Sequence, residues 1–371
     1  MEERRWQYCI DHYDDDVYTF FSSHFKDEKR KCLYIGGAGF DPRSTIIIQM
    51  LSEVLGTRLH AVLIREERPD PDKELIKRAE SNVKKIQNMA CYNEVIKINI
   101  FADDNAVVGG INISREIEKL DVDGYTDIVI DLSALSIGVS FPTVASMYYR
   151  VQKFDHQLNI HLTAISNPSL DALISSSSND RVTDIRGFSI PDLLGQPQEK
   201  ARLWLPLITS KKNTILNYIH ADIRPHDTCP ILPFPSENPK KADLLALDYI
   251  TELESEWNVD PRNFVYADER NPLDIYRTIL RIDSERKPVF ETFGGSLIIL
   301  SPIGSRIPAT GMLLAALECQ FPVAYVEALE YHVDWNQVDS LECNSLKKVH
   351  IWLYGEAYYK DTKGWKDEQI D

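Results

Sequence analysis

The chain has 371 residues, 43% apolar and 26% charged, with 41 Lys and Arg against 57 Asp and Glu for a formal net charge of −16. That balance fits a globular protein of two domains with an ample core, and it excludes a disordered chain, a collagen-like repeat or a coiled coil as the main organisation. An acidic body repels phosphate polymers at long range, no apolar run approaches the roughly 18 residues of a membrane span, and the start MEERRWQYCIDHYDDD has no apolar signal core. The expectation is a soluble, cytoplasmic protein with no membrane contact, for which nucleic acid is a poor partner.

The first 30 residues are polar and aromatic and read as an N-terminal docking segment. Regular alternation follows. CLYIGG (32–37) is a short buried strand, STIIIQMLSEVLG (44–56) a helix ending at Gly56, and RLHAVLI (58–64) a second strand. A charged helix (72–89), a third strand (94–101), a helix (114–120), a fourth strand (127–133), a helix with Pro142 in its first turn (141–154) and a fifth strand (158–166) continue the pattern. The strands are apolar runs with little in–out alternation, and each crossover is too long for a hairpin. This is the pattern of a parallel sheet covered on both faces. Residues 31–170 are therefore expected to form an α/β, doubly wound, mostly parallel Rossmann-like sheet.

SSSSND (175–180) reads as a linker, and residues 171–260 as a proline-rich and helical connection. Alternation resumes in residues 261–356, expected to be a second, smaller α/β domain closed by KKVHIWLYG (347–355). Residues 357–371 read as a polar tail. The six cysteines, Cys9, Cys32, Cys91, Cys229, Cys319 and Cys343, show no CxxC spacing and are expected to be reduced thiols used as small hydrophobes.

Ligands of open α/β sheets sit at the carboxyl ends of strands, so the strand-to-helix loops carry the candidate chemistry. In GGAGFDPRS (36–44), Gly36, Gly37 and Gly39 permit close approach of a ligand, and the following helix offers free amides to phosphate. Asp41 either caps that helix or serves a ligand, and Arg43 either pairs with Asp41 or clamps an anion. Glu66, at the end of the second strand, is placed to bind a ribose hydroxyl or belongs to a solvated charge cluster. In DLSALSIGVS (131–140), Asp131 and Ser133 would face the glycine loop if the first and fourth strands are neighbours; the loop is equally readable as a serine-rich helix cap. SPIGSRIPATG (301–311) repeats the arrangement, with Ser301, Gly304, Ser305 and Arg306 as anion contacts. Glu269 lies in YADERNP at another strand end, and Arg306 either pairs with Asp268 or Glu269 or meets a ligand. His220, His226 and Cys229 lack the spacing of a metal cluster, so no metal site is expected.

Two resemblances attach to these loops. GGAGFDPRS looks like the first half of the GGxFDPxHxGH signature of the nicotinate mononucleotide adenylyltransferase group, with one extra residue before Phe40 and both histidines missing; adenylyl transfer is not implied. The glycine loop together with the Asp131–Ser140 loop resembles the CARF-type, Rossmann-like nucleotide-sensing domains. That resemblance covers two loops and lacks the TGG-K core; it implies a nucleotide-like ligand held between the two.

The resulting expectation is a tandem Rossmann-like protein, sensor or enzyme, that binds a nucleotide or other phosphorylated small molecule in an interdomain cleft. Gly36, Gly37, Gly39, Ser301, Gly304 and Ser305 would hold phosphate, Arg43 and Arg306 would clamp it, and Glu66, Asp131 and Ser133 would read sugar or base. Asp41 or Glu269 would be the catalytic base if turnover occurs. The cofactor is unknown from sequence. Two alternatives stay open: a non-catalytic, protein-binding subunit of a larger assembly, and a metal-dependent hydrolase acting on a phosphorylated substrate.

Overall fold

A computed structural model describes residues 4–154, 158–179, 181–189, 200–341 and 346–358. The chain divides into two compact units, one taking residues 8–167 and 343–371, the other residues 1–7 and 168–342. Among the described residues no helix is long and apolar enough to cross a membrane.

Six strands of the first unit are β1 (Asp11–Tyr13), β2 (Cys32–Gly37), β3 (Leu59–Glu67), β4 (Tyr92–Asn99), β5 (Asp127–Asp131) and β6 (Asn159–Ser166); the seventh is Lys347–Tyr354. Side by side they run β1, Lys347–Tyr354, β6, β5, β2, β3, β4. Strands β2 to β6 are mutually parallel, whereas Lys347–Tyr354 lies antiparallel to β6, and β1 antiparallel to Lys347–Tyr354. Every residue of β2, β5 and β6 is buried, as the unbroken apolar runs require of strands covered on both faces. The doubly wound α/β class expected from sequence is thus the fold observed.

The helices are α1 (Asp15–His24), α2 (Ile46–Leu55), α3 (Lys73–Gln87), α4 (Gly109–Lys119) and α5 (Ile137–Val151). Ile47, Ile48, Leu51 and Leu55 form one face of α2 and join Val17, Phe21 and Phe25 of the α1 region over Cys32, Tyr34 and Val129 of the sheet. Helix α5 begins at Ile137 rather than at residue 141, so Pro142 lies inside it instead of in its first turn. The sheet reverses its winding between β2 and β5, where Gly36 pairs with Asp131. This is the topological switch point.

The second unit repeats that plan. Ala201–Pro206 lies parallel to Asp227–Thr228 on one side and to Ser296–Ser301 on the other, and Ile231–Pro233 is parallel to Val265–Ala267. Parallel bridges Leu207–Ile231 and Leu300–Val323 join these pieces laterally. From one edge the order is 265–267, 231–233, 201–207, 296–301, 323, which is the winding of β4, β3, β2, β5, β6. Its switch point therefore falls between Ala201–Pro206 and Ser296–Ser301.

Four expectations are corrected. Residues 8–30 are no separate docking segment: β1 pairs with Lys347–Tyr354, and α1 packs in the first core. Lys347–Tyr354 completes the first sheet, not the second. The second unit's sheet begins at Ala201, inside the supposed connection. Ile174–Ser178, read as a linker, is a strand paired antiparallel with Ala328–Val333. The polar tail from residue 359 onward, and Cys343, lie outside the described residues.

Candidate functional site

At the first switch point the predicted residues do meet, but they bind one another. A Cβ on Gly37 would stand 2.7 Å from the Ala134 carbonyl oxygen, so this glycine lets the β2 and β5 loops close together. Tyr34 occupies the space a Gly36 side chain would need, and its hydroxyl donates to Asp131 Oδ2 at 3.0 Å. Asp131 also accepts from Ser133 Oγ at 2.5 Å, from the Ser133 amide at 3.1 Å and from Thr163 Oγ1 at 3.3 Å. Burial pushes the Asp131 carboxyl up to about 6 against the pull of those donors. Asp131 and Ser133 are thus a buried hub joining β2, β5 and β6, and do not face a ligand.

The charged residues of this loop set are likewise committed. Arg43 turns back on Asp41, with Nε at 3.0 and 3.1 Å from its two oxygens and a terminal nitrogen at 2.6 Å from Oδ2. Asp41 Oδ1 accepts the Arg43 amide at 2.9 Å as well, and both residues are buried. Neither a catalytic base at Asp41 nor an anion clamp at Arg43 fits that geometry. Glu66 Oε1 accepts the Ser136 amide, at the start of α5, at 2.6 Å, and its Oε2 accepts from Arg68 at 2.9 Å. A helix N-terminus is where an anion belongs; here the chain's own carboxylate holds that place, not a ribose. Among the described residues the buried hydroxyls of Ser44, Ser136 and Ser140 have no hydrogen-bond partner.

The second switch point is different. Ser301 is spent on the fold: its hydroxyl accepts from Trp204 Nε1 at 2.9 Å and donates to the Ala324 carbonyl at 3.0 Å. Gly304 adopts φ of +131°, a conformation that favours glycine, and faces the Thr209 side chain. A cleft of about 40 Å³ opens at these strand ends, lined in part by Thr209, Ser305, Lys241 and Glu269. Glu269 is ion-paired with Lys241 and buried, which removes it as a free base. Arg306 opens the helix Arg306–Cys319, and Lys212 precedes the helix Asn213–Ile223. Burial lowers the Lys212 pKa, and the neighbouring Arg306 charge lowers it further. Lys212 Nζ donates to Ser176 Oγ at 3.2 Å, while Arg306 Nε is buried with no hydrogen-bond partner among the described residues. Among the described residues neither cation pairs with a carboxylate. Asp268, which the sequence offers as a partner for Arg306, instead accepts the Arg270 amide at 2.8 Å.

A third cluster, on the α1 face of the first sheet, was not legible in the sequence. Asp127 opens β5, His161 lies on β6, His24 ends α1, His350 lies on Lys347–Tyr354 and His12 on β1. Asp127 Oδ1 stands 2.8 Å from His24 Nε2, 3.2 Å from His161 Nε2 and 3.0 Å from Asn159 Nδ2, with Arg30 at 3.5 Å. His161 Nδ1 is 2.9 Å from His350 Nε2, and His350 Nδ1 is 3.0 Å from His12 Nδ1. Trp352 closes over His24 and His161, with ring centroids at 4.9 and 5.0 Å. Burial would push the Asp127 carboxyl up, but hydrogen bonds from His161 and His24 prevail and hold it well below the usual carboxylate range. Burial, reinforced by the neighbouring histidines, holds His350 well below its ordinary value. The ligating atoms of His24, Asp127 and His161 lie within 4.8 Å of one another, a grouping that no spacing in the sequence led one to expect and that could hold a metal ion. By contrast, His226 Nδ1 accepts the Arg202 amide and His220 stacks on Trp257, in keeping with the polar-loop reading of that segment.

No family model matches the chain, and no curated protein matches it. Among solved structures it is similar to the cytoplasmic domain of a prokaryotic cation chloride cotransporter, at 15% identity over 80% of this chain and 95% of that one, with a TM-score of 0.24. It is also similar to Phytolacca americana UGT2 complexed with UDP-2fluoro-glucose and pterostilbene, at 8% identity over 79% of each chain and a TM-score of 0.23. A third likeness is to an N-terminal ketoreductase from a macrolactin assembly line, at 8% identity over 80% of this chain and 69% of that one, with a TM-score of 0.22. Likenesses this distant carry no argument about chemistry.

Proposed function

We propose that the protein binds the anionic group of a nucleotide or other phosphorylated small molecule at the switch point of its second unit. The observation that carries this reading is the pair Lys212 and Arg306, two neighbouring cations without a carboxylate partner among the described residues. Each stands at a helix start, where the macrodipole disfavours a cation and favours an anion. An anion between them relieves both the mutual repulsion and the dipole conflict. Gly304 and Thr209 border the same place, and Ser305 lines the adjoining cleft. At about 40 Å³ that cleft is too small for a nucleoside, and neither Lys212 nor Arg306 lines it, so the sugar and base of such a ligand would lie outside it. A hydrolase built on Asp41, Asp131 and Glu269 has lost its support, because each carboxylate is already engaged.

Thermal melting of the full chain with inorganic phosphate and a panel of nucleoside mono-, di- and triphosphates tests the proposal. A ligand at about a hundred times its Kd adds about 2.7 kcal/mol, which is several degrees in Tm. The double variant Lys212→Ala, Arg306→Ala is expected to lose that shift, since two charge-assisted contacts of about 1.5–3 kcal/mol each disappear. A wild-type protein indifferent to every compound, or a double variant that responds equally, overturns the reading.

A further inference from the structure

We propose that His24, His161 and Asp127 form a binding site for one divalent transition-metal ion, with zinc the metal best suited to the donor set. The inference is independent of the anion site, which lies in the other unit. Ligands held at roughly 2.0–2.2 Å from a common ion stand about 3–4 Å from one another. The His161 nitrogen, 3.2 Å from Asp127 Oδ1, already stands at that separation, the His24 nitrogen at 2.8 Å is a few tenths of an ångström inside it, and all three ligating atoms lie within 4.8 Å of one another.

The crowding at Asp127 Oδ1 argues for a shared cation over separate hydrogen bonds. A carboxylate oxygen has two lone-pair directions. Asn159 Nδ2 is an obligate donor and takes one of them at 3.0 Å. Two imidazole nitrogens then compete for the other. An ion resolves the conflict, because each histidine turns a lone pair, not an N–H, toward the common centre. Arg30 stands 3.5 Å from both Asp127 oxygens, and the closer neighbours orient the ligands. Asp127 Oδ2 accepts from Thr126 Oγ1 at 2.6 Å, which fixes the carboxylate. A metal-bound imidazole characteristically hands its other ring N–H to an acceptor. His161 has that acceptor in His350 Nε2 at 2.9 Å, and His350 in turn has His12. Asp127 and His161 are fully buried and His24 nearly so, at 6% side-chain exposure. Two histidines and one carboxylate leave a coordination position open, the arrangement of sites that present a metal-bound water.

Loading the purified full chain with Co²⁺ in place of zinc supplies the readout. One equivalent is expected to give visible d–d absorption of a nitrogen- and oxygen-ligated site, and Zn²⁺ is expected to displace it. His24→Gln and His161→Gln should each abolish the band, His350→Gln should weaken binding about 10- to 100-fold, and His12→Gln should leave stoichiometry unchanged. Circular dichroism of the metal-free variants checks folding; if His161→Gln does not fold, His24→Gln, at the end of a helix, decides. A wild-type chain with no absorption at one equivalent overturns the proposal, whatever the variants do. So does a band that survives in the folded His24→Gln variant, which would place the cobalt elsewhere and leave the cluster a hydrogen-bonded core.

Discussion

At the first switch point the Glu66 carboxylate sits on the Ser136 amide, Arg43 folds onto Asp41, and Asp131 gathers four donors. At the second, on the same strand order, Lys212 and Arg306 are neighbours without a described counter-ion, while Ser301 and Glu269 are spent on the fold. The winding of a sheet therefore locates a crevice without deciding whether it stays available. That decision rests on a few side chains, above all on whether a carboxylate reaches the helix start first. One winding has here yielded a self-neutralised seam and a cationic notch.

Three substitutions break or sharpen the contrast. The largest effect belongs to Asp131, whose carboxyl is raised to about 6 by burial. A carboxyl raised on folding contributes stability that is complete below its unfolded value of about 3.9 and is lost as pH climbs through the folded value. At about 1.4 kcal/mol for each tenfold change in proton affinity, the loss is on the order of 3 kcal/mol. Urea denaturation between pH 4 and 7 should show that decline in the wild type, and Asp131→Asn should flatten it. A wild type that gains as much stability over that interval as the variant contradicts the closed hub. Asp127, depressed on folding, acts with the opposite sign and in a lower window, losing its contribution as acid takes pH down from about 4.

Next comes Gly37→Ala, whose new methyl meets the Ala134 carbonyl at 2.7 Å. A cost of about 1–3 kcal/mol is expected, whereas Gly39→Ala, with nothing within 4 Å, should stay within about 0.5 kcal/mol. Equal midpoints in chemical denaturation would mean that the two loops are not pressed together. The smallest stability change, about 1–2 kcal/mol, is expected for Glu66→Ala, which removes the anion from the start of α5. Its value lies in the gain. In the Lys212→Ala, Arg306→Ala background, Glu66→Ala should confer a phosphate-dependent rise in Tm that the parent lacks. No such rise would mean that Glu66 does not stand in for an external anion.

The sequence disclosed what is local. β2, β5 and β6 are apolar runs buried on both faces, and their pattern alone puts the loop after each at the carboxyl edge. Partnerships across long separations were hidden. Glu66 reaches Ser136 over 70 residues, and nothing near either announces the other. Ile174–Ser178 has the composition of a linker and is a strand because Ala328–Val333 lies beside it. Ala201–Pro206 was masked by its terminal proline, which ends a parallel ladder with Ser301. The histidine cluster draws on positions 12, 24, 127, 161 and 350, so no spacing rule exposes it. Only β1 and Lys347–Tyr354 pairing beside β6 bring those residues onto one face.

The late arrival of Lys347–Tyr354 bears on how the molecule is made. During translation β6 emerges with its outer row of amides and carbonyls bare, and it stays so until residue 354 has left the ribosome. Meanwhile the stretch 201–325 carries its own parallel ladders and leaves the ribosome while the first sheet is still one inner strand short. A nascent chain arrested before residue 347 would present β6 as a sticky margin open to foreign strands.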